Sequence, residues 1–221
     1  MSAHPWPLFD LRIRTPHLEM RLPTDDDLLE LARAARSGIV DRTVFLVPWH
    51  QLPSPAMERQ LLLYQWRARG TWSPSNWHLP LAVVLDGHPV GMQSILASDF
   101  AIRRVVTSGS WLAREFHGRG YGTEMRGGML ALAFDGLGAE VAESGYFDGN
   151  EPSSRVSEKL GYVVNGEGVL AVEGKRIVER KLRVTRTEWK RDVVPTTIDG
   201  LEPCLGLFGV GDLGPDEWAT F

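Results

Sequence analysis

The chain has 221 residues, 43% of them hydrophobic, with one cysteine and a formal net charge of −4. That length and apolar share suffice for one α/β domain with a substantial core, while the mild acidity gives no basic footprint for nucleic acid. A lone Cys204 leaves no disulfide framework and no cysteine-built metal site, and no run approaches the ~18 apolar residues of a membrane span. The N-terminus carries acids and arginines where a signal peptide needs an apolar stretch, so the expected location is cytoplasmic.

Residues 11–14 and 18–22 alternate apolar and polar side chains and predict one bent strand, broken at Thr15-Pro16. Thr24 then stands before Asp25-Asp26-Asp27, an N-cap followed by acids in the first turn, and Leu28, Leu31 and Ala35 recur at helical spacing until Gly38. A second helix is expected over 57–69, and 80–96 reads as a hairpin turning at Asp86-Gly87. Trp49, Trp66, Trp72 and Trp77 crowd this region. Core packing is the default for such large side chains, with an aromatic acceptor pocket or a dimer surface as alternatives. A strand over 104–113, a central helix over 120–134, a strand over 140–146, a helix from Asn150 to Gly161 and a late strand over 175–182 follow. Composition changes sharply near the end: residues 175–191 hold eight bases and two acids, whereas 192–221 hold six acids and no lysine or arginine. We therefore divide the chain into a domain over 1–184 and an extension over 185–221. The extension is expected to fold back on its own basic strand and helix, or to meet a partner subunit in a homodimer through Leu205, Leu207 and Phe208.

The stretch 116–124, FHGRGYGTE, sets three glycines between a strand and a helix. Glycine lets backbone approach an anion, and the first free N–H groups of the helix point at it with the positive end of the dipole behind them. The alternative is a plain glycine turn. Other nucleotide loops fail on spacing. A P-loop ends in Gly-Lys-Ser/Thr, but here Gly122-Thr123-Glu124 has no lysine; a dinucleotide fingerprint needs a third glycine where Thr123 or Met125 stands.

The loop His117-Gly118-Arg119-Gly120-Tyr121-Gly122 resembles the pyrophosphate loop of the GNAT acyltransferases, Gln/Arg-x-x-Gly-x-Gly/Ala, with His117 at the glutamine or arginine position. Downstream, Asn150-Glu151-Pro152-Ser153-Ser154-Arg155-Val156-Ser157-Glu158-Lys159-Leu160-Gly161-Tyr162 is similar to the family's Asn-x-x-Ser segment ending in Lys-Leu-Gly-Phe/Tyr. Residues 11–24 resemble the opening of the RimJ/RimL branch, and the similarity covers roughly residues 8–184. The element order agrees with that family. The resemblance implies an α/β (α+β) GNAT fold, with a central mixed, mostly antiparallel sheet that is splayed in the middle and flanked by helices. It implies an enzyme that moves an acyl group from coenzyme A to a primary amine of a protein N-terminus, a lysine or a small molecule.

By the same resemblance, Trp111 and Leu112 offer backbone groups to the pantetheine arm. His117, Gly118, Arg119, Gly120, Tyr121, Gly122 and Thr123 take the diphosphate, and Asn150 contacts the arm. Ser153 protonates the leaving thiolate or, alternatively, caps its helix; Tyr146 and Tyr162 are reserve donors or else packing residues, and Ser154 ranks behind them. The family's strand glutamate, in a pattern like Glu-x-Gly-x-Trp-Leu, is replaced by Thr107 in Thr107-Ser108-Gly109-Ser110-Trp111-Leu112. Glu143 on the neighbouring strand is the remaining candidate base, acting through water, unless it is simply solvated. An α-amino group titrates near ~8 and a lysine near ~10.4, so the former needs less help from a base. Acetyl-CoA is the expected donor. Succinyl-CoA is the alternative, since Phe45-Leu46-Val47-Pro48-Trp49 with Trp66 and Trp72 resembles mycobacterial GNAT proteins that use it. A sensor that binds acyl-CoA without turnover stays open while no strong base is identified, whereas three retained glycines argue against a purely structural role.

Overall fold

The computed structural model describes residues 4–39 and 49–211, so Phe45 to Pro48 lie outside the described residues. Residues 11–22 are not one bent strand. They form β1 (Arg12–Arg14) and β2 (Leu18–Arg21), antiparallel, with Arg12 opposite Arg21 and Arg14 opposite Glu19. The Thr15-Pro16 break is a full reversal, closed by Thr15 N donating to Leu18 O at 2.9 Å. A bend and a reversal leave the same alternation in sequence, which is why the pattern could not separate them.

α1 (Asp25–Arg36) starts as its sequence predicts. Thr24 Oγ1 accepts from Asp27 N at 3.1 Å, and the Asp27 carboxylate accepts from Thr24 N at 2.7 Å, a reciprocal capping box. Arg21 on β2 closes a two-pronged pair on the same carboxylate, at 2.5 and 2.9 Å. Burial pushes Asp27 up, but the bonds from Arg21 and Thr24 outweigh it and hold the carboxyl below its ordinary value. A depressed folded pKa means stability present above the ordinary carboxylate range and lost as pH falls through the folded value. Asp27→Asn is thus expected to cost roughly 1–2 kcal/mol at neutral pH. It should also flatten the acid limb of the stability profile, both readable by urea melts across pH; an unchanged acid limb would count against the pairing.

α2 (Ala56–Gly70) follows, and then β3 (Asn76–Leu85) and β4 (His88–Ser98) pair through a two-residue turn in which Asp86 and Gly87 both take positive φ. After the short α3 (Phe100–Arg103) come β5 (Val105–Leu112), α4 (Tyr121–Ala131), β6 (Val141–Phe147), α5 (Glu151–Lys159), β7 (Val163–Val172) and β8 (Lys175–Thr185). With β9 (Thr197–Asp199) they make one nine-stranded sheet in the order β7-β8-β6-β5-β4-β3-β2-β1-β9. Every neighbouring pair is antiparallel except β5 and β6. Leu28, Leu31 and Ala35 of α1 and Met57 and Leu61 of α2 pack with Ala82, Met92 and Trp111 on one face; α4 is buried on the other against Ile13, Met20 and Val194. α4 comes very close to this floor, since a Cβ on Gly128 would lie 2.4 Å from Met20 and one on Gly127 would lie 2.5 Å from Val194.

The tail does not settle on the basic strand β8, whose two edges are already taken by β6 and β7. It crosses to the far side, where β1 has a free edge, and adds β9 there with Ile198 opposite Ile13 and an Arg14–Asp199 ion pair. A 3₁₀ segment, Glu202–Phe208, then drives Phe208, fully buried, against Trp72 and Trp77 at ring distances of 5.5 and 4.9 Å. Both indoles bond to the tail: Trp72 Nε1 donates to Leu207 O at 2.8 Å and Trp77 Nε1 to Phe208 O at 3.2 Å. Cys204 is buried in the same segment, its thiol pushed up to about 12 by that burial. The four tryptophans therefore divide: Trp72 and Trp77 are core, Trp49 leans on Trp111 at 5.5 Å, and Trp66 is half exposed with Nε1 donating to Asp25 at 3.3 Å. Among the described residues no helix is long and apolar enough to cross a membrane.

Candidate active site

β5 and β6 pair only over their first three positions, Val105 to Thr107 against Val141 to Glu143. β5 continues along β4 to Leu112 and β6 along β8 to Phe147, so the two strands part and leave a fork in the sheet. Hydroxyl groups close its vertex: Ser108 Oγ donates to Glu143 O at 3.3 Å and Ser144 Oγ to Ser108 O at 3.4 Å. Strand alternation sorts the rest. Trp111, Gly109 and Thr107 face α1 and α2, as does Glu143 opposite Thr107, whereas Ser108, Ser110 and Leu112 face α4.

The glycine loop lies at the mouth of the fork. β5 runs through a 3₁₀ turn, Arg114–Phe116, to Gly118 and Gly120 at φ 75° and 91°, and Gly120 is the N-cap of α4 with no side chain capping the helix. The N–H groups of Tyr121 and Gly122 have no intrahelical acceptor, and a Cβ on Gly118 or Gly120 would meet nothing within 4 Å. This open, donor-lined cradle with a helix dipole behind it fits a diphosphate. Gly122 serves a second purpose, since its Cβ would lie 3.4 Å from Val156 on α5. His117 turns its Nε2 to Leu112 O at 2.8 Å, latching the loop to the end of β5, and Arg119 lies over the Phe116 ring at 5.8 Å. Glu124 accepts from Thr15 Oγ1 at 2.9 Å and from His17 N at 3.2 Å, so the β1–β2 reversal braces the same helix.

On the far rim, α5 is capped by Asn150, whose Oδ1 accepts from Ser153 N at 3.3 Å. Ser153 is thus the third residue of the helix and not its cap, because asparagine three residues earlier already holds that place. Ser154 Oγ is engaged with Glu158 at 2.9 Å and with the Tyr146 hydroxyl at 3.3 Å.

Two groups escaped the sequence analysis. Tyr64 on α2 places its hydroxyl between His78 Nε2 at 3.0 Å and Ser94 Oγ at 3.1 Å, and Ser94 lies opposite Gly109. Burial pushes His78 down to about 4, so it is neutral at physiological pH, and burial likewise raises Tyr64. The Asp86-Gly87 turn fixes the hairpin, yet a bulge at Val83/Val84 shifts the register by one, so counting from the turn would put Ser94 opposite Leu79 instead of Pro80. Arg126, which reads as an ordinary solvated helix arginine, is only 5% exposed.

Solved structures that share this fold include the following three. The GNAT-family acetyltransferase from Bacillus anthracis is 16% identical, with 80% of this chain and 99% of that one covered and a TM-score of 0.64. A GCN5-related N-acetyltransferase from Brucella melitensis is 20% identical, with 86% and 84% covered and a TM-score of 0.63. Mycobacterium smegmatis RimJ, in complex with CoA-disulfide, is 19% identical, with 82% and 90% covered and a TM-score of 0.62. The family described as acetyltransferase (GNAT) domain matches residues 17–163, a span that holds the fork, the glycine loop and the Asn150 helix together, and the chain belongs to that family.

Proposed function

We propose that the chain transfers an acetyl group from acetyl-CoA to a primary amine, by direct attack within one ternary complex. The observation that carries this is the fork itself, which leads from an open anion cradle at Gly118 to Gly122 to a vertex at Ser108 and Glu143. Coenzyme A supplies the activated thioester, and the chain's residues do the rest. Within the loop 117–123 the N–H groups of His117 and Thr123 are already donated to Arg114 O and Gly120 O, and those between them, Tyr121 and Gly122 included, hold the diphosphate; Trp111 and Leu112 present backbone groups to the arm. The Asn150 side-chain amide, whose oxygen is committed to the cap, has no acceptor for its N–H₂ among the described residues and can donate to the arm. Glu143 lies on the α1/α2 face and takes the amine's proton through a water; Ser153 delivers a proton to the sulfur. The acceptor is an N-terminus, a lysine or a small amine.

Since Asn150 carries the cap, Ser153→Ala should leave stability and coenzyme A affinity nearly unchanged while lowering kcat by roughly 10²-fold. Normal turnover in that variant would remove Ser153 from the chemistry. Free coenzyme A release, measured with mixed peptide and amine acceptors, distinguishes an enzyme from a sensor that binds without turnover.

The ranking of acetyl over succinyl rests on desolvation. Glu143 and Glu179 share one face of β6 and β8 with Arg183 and Lys181, which lie opposite Glu143 and Gly145, so acids and bases balance there. A donor's terminal carboxylate would lose its solvation on entering the fork, a cost the acetyl group does not carry. With one common amine, kcat/KM for acetyl-CoA should exceed that for succinyl-CoA; a preference of about tenfold or more for succinyl-CoA would reverse the assignment.

A further inference from the structure

The elements that frame the fork converge on one side chain. Arg126, in the second turn of α4, donates from Nη1 to Ser157 Oγ on α5 at 2.7 Å and from Nη2 to Ser110 Oγ on β5 at 3.4 Å. Ser110 lies in the open part of β5, three residues past Thr107, the last position paired with β6. Ser157 Oγ in turn donates to Ser153 O at 2.8 Å, which ties the guanidinium to the helical turn carrying Ser153. Among the described residues no carboxylate pairs with Arg126, and its buried Nε has no acceptor. Beside it, buried Tyr162 turns its hydroxyl toward Ser108 without closing a hydrogen bond, so a second polar group is left over under the fork. Burial pushes the Arg126 pKa down, as it must for a cation without an anion, though a guanidinium stays protonated.

A buried charge is normally paired, because desolvation is otherwise left uncompensated. An arginine that only braced helices would be better served by an acid on α5 or β5. Serines stand there instead, and they hold the guanidinium without neutralising it.

We propose that Arg126 is the counter-charge for the sulfur of coenzyme A, stabilising the thiolate as the acyl group leaves. This rests on the reading that the pantetheine arm lies in the fork. As the amine nitrogen bonds to the acyl carbon, the carbon–sulfur bond breaks and its electron pair goes to sulfur. The amine's proton leaves toward Glu143, and Ser153 afterwards passes its hydroxyl proton to the sulfur while taking one from water, so that the serine ends neutral. Arg126 acts between these steps, from beneath the arm, with Ser110 and Ser157 fixing its plane.

The test compares calorimetric affinities of coenzyme A and desulfo-coenzyme A, in which hydrogen replaces the thiol, at a pH near the thiol's own pKa. The wild-type chain should prefer coenzyme A by about tenfold or more, and Arg126→Met should bind the two alike. Equal affinities in the wild type, or a preference that survives in Arg126→Met, would overturn the inference. A merely structural arginine predicts that second pattern together with a lower melting temperature. Should Arg126→Met not fold, Arg126→Gln removes the charge while keeping polar contacts and carries the same expectation. Failure of the wild type to bind either compound would overturn the cofactor reading itself, which is a separate result from binding both equally.

Discussion

Gly120→Val is expected to abolish binding of acetyl-CoA in a protein that still folds. Gly120 caps α4 at φ 91°, a left-handed conformation that costs an L-residue roughly 1–2 kcal/mol and a β-branched one more. No atom lies within 4 Å of the new Cβ, so the fold loses only that strain. The isopropyl group, however, projects into the open cradle and holds an anion away from the N–H groups of Tyr121 and Gly122. A calorimetric titration with acetyl-CoA and a thermal melt separate the two effects. Unchanged affinity would sink the cradle assignment.

The second large effect concerns stability. Phe208→Ala should cost about 3–5 kcal/mol, the range for emptying a fully buried phenylalanine site. For a chain of this size that corresponds to a fall in melting temperature on the order of ten degrees. Phe208 fills the space between Trp72 and Trp77, and both indoles donate to carbonyls of its segment, so the fluorescence of those tryptophans should shift to the red as the tail loosens. A melting temperature within a degree or so of wild type would show that the tail is not part of the cooperative unit.

What the sequence disclosed follows from the range of the forces involved. Thr24 with Asp27, the Asp86-Gly87 turn and Gly120 before α4 are local signals, each fixed by two or three neighbouring residues, and each was legible. The glycine loop belongs to this class as a piece of backbone, since strand, glycines and helix are contiguous. The reversal at Thr15 was hidden because alternation is indifferent to chain direction. The path of the tail depends on which sheet edge is free, a property of the finished sheet: β8 was the electrostatic favourite, but both its edges are taken, whereas β1 still had unpaired backbone groups to offer. The site was harder still. Ser110, Arg126 and Ser157 come from three elements, and nothing in a single helix pattern marks Arg126 as buried. The Tyr64, His78 and Ser94 cluster was obscured by one bulge, which reverses the face on which every later residue of the hairpin falls.

The position of Cys204 has a practical bearing on how this chain can be assayed. Thiol-reactive dyes report coenzyme A release only if the protein's own sulfur stays silent, and reactivity requires an accessible thiolate. Cys204 is enclosed beneath the tail, its Sγ 3.2 Å from Gly200 O, and its ionisation is suppressed to about 12. The folded chain therefore contributes almost no background colour, so early product can be read without correction. The same sulfur becomes a stopwatch for the tail: its slow labelling counts the moments when residues 197–208 lift from the tryptophans, and Phe208→Ala should quicken that count before any change appears at the fork.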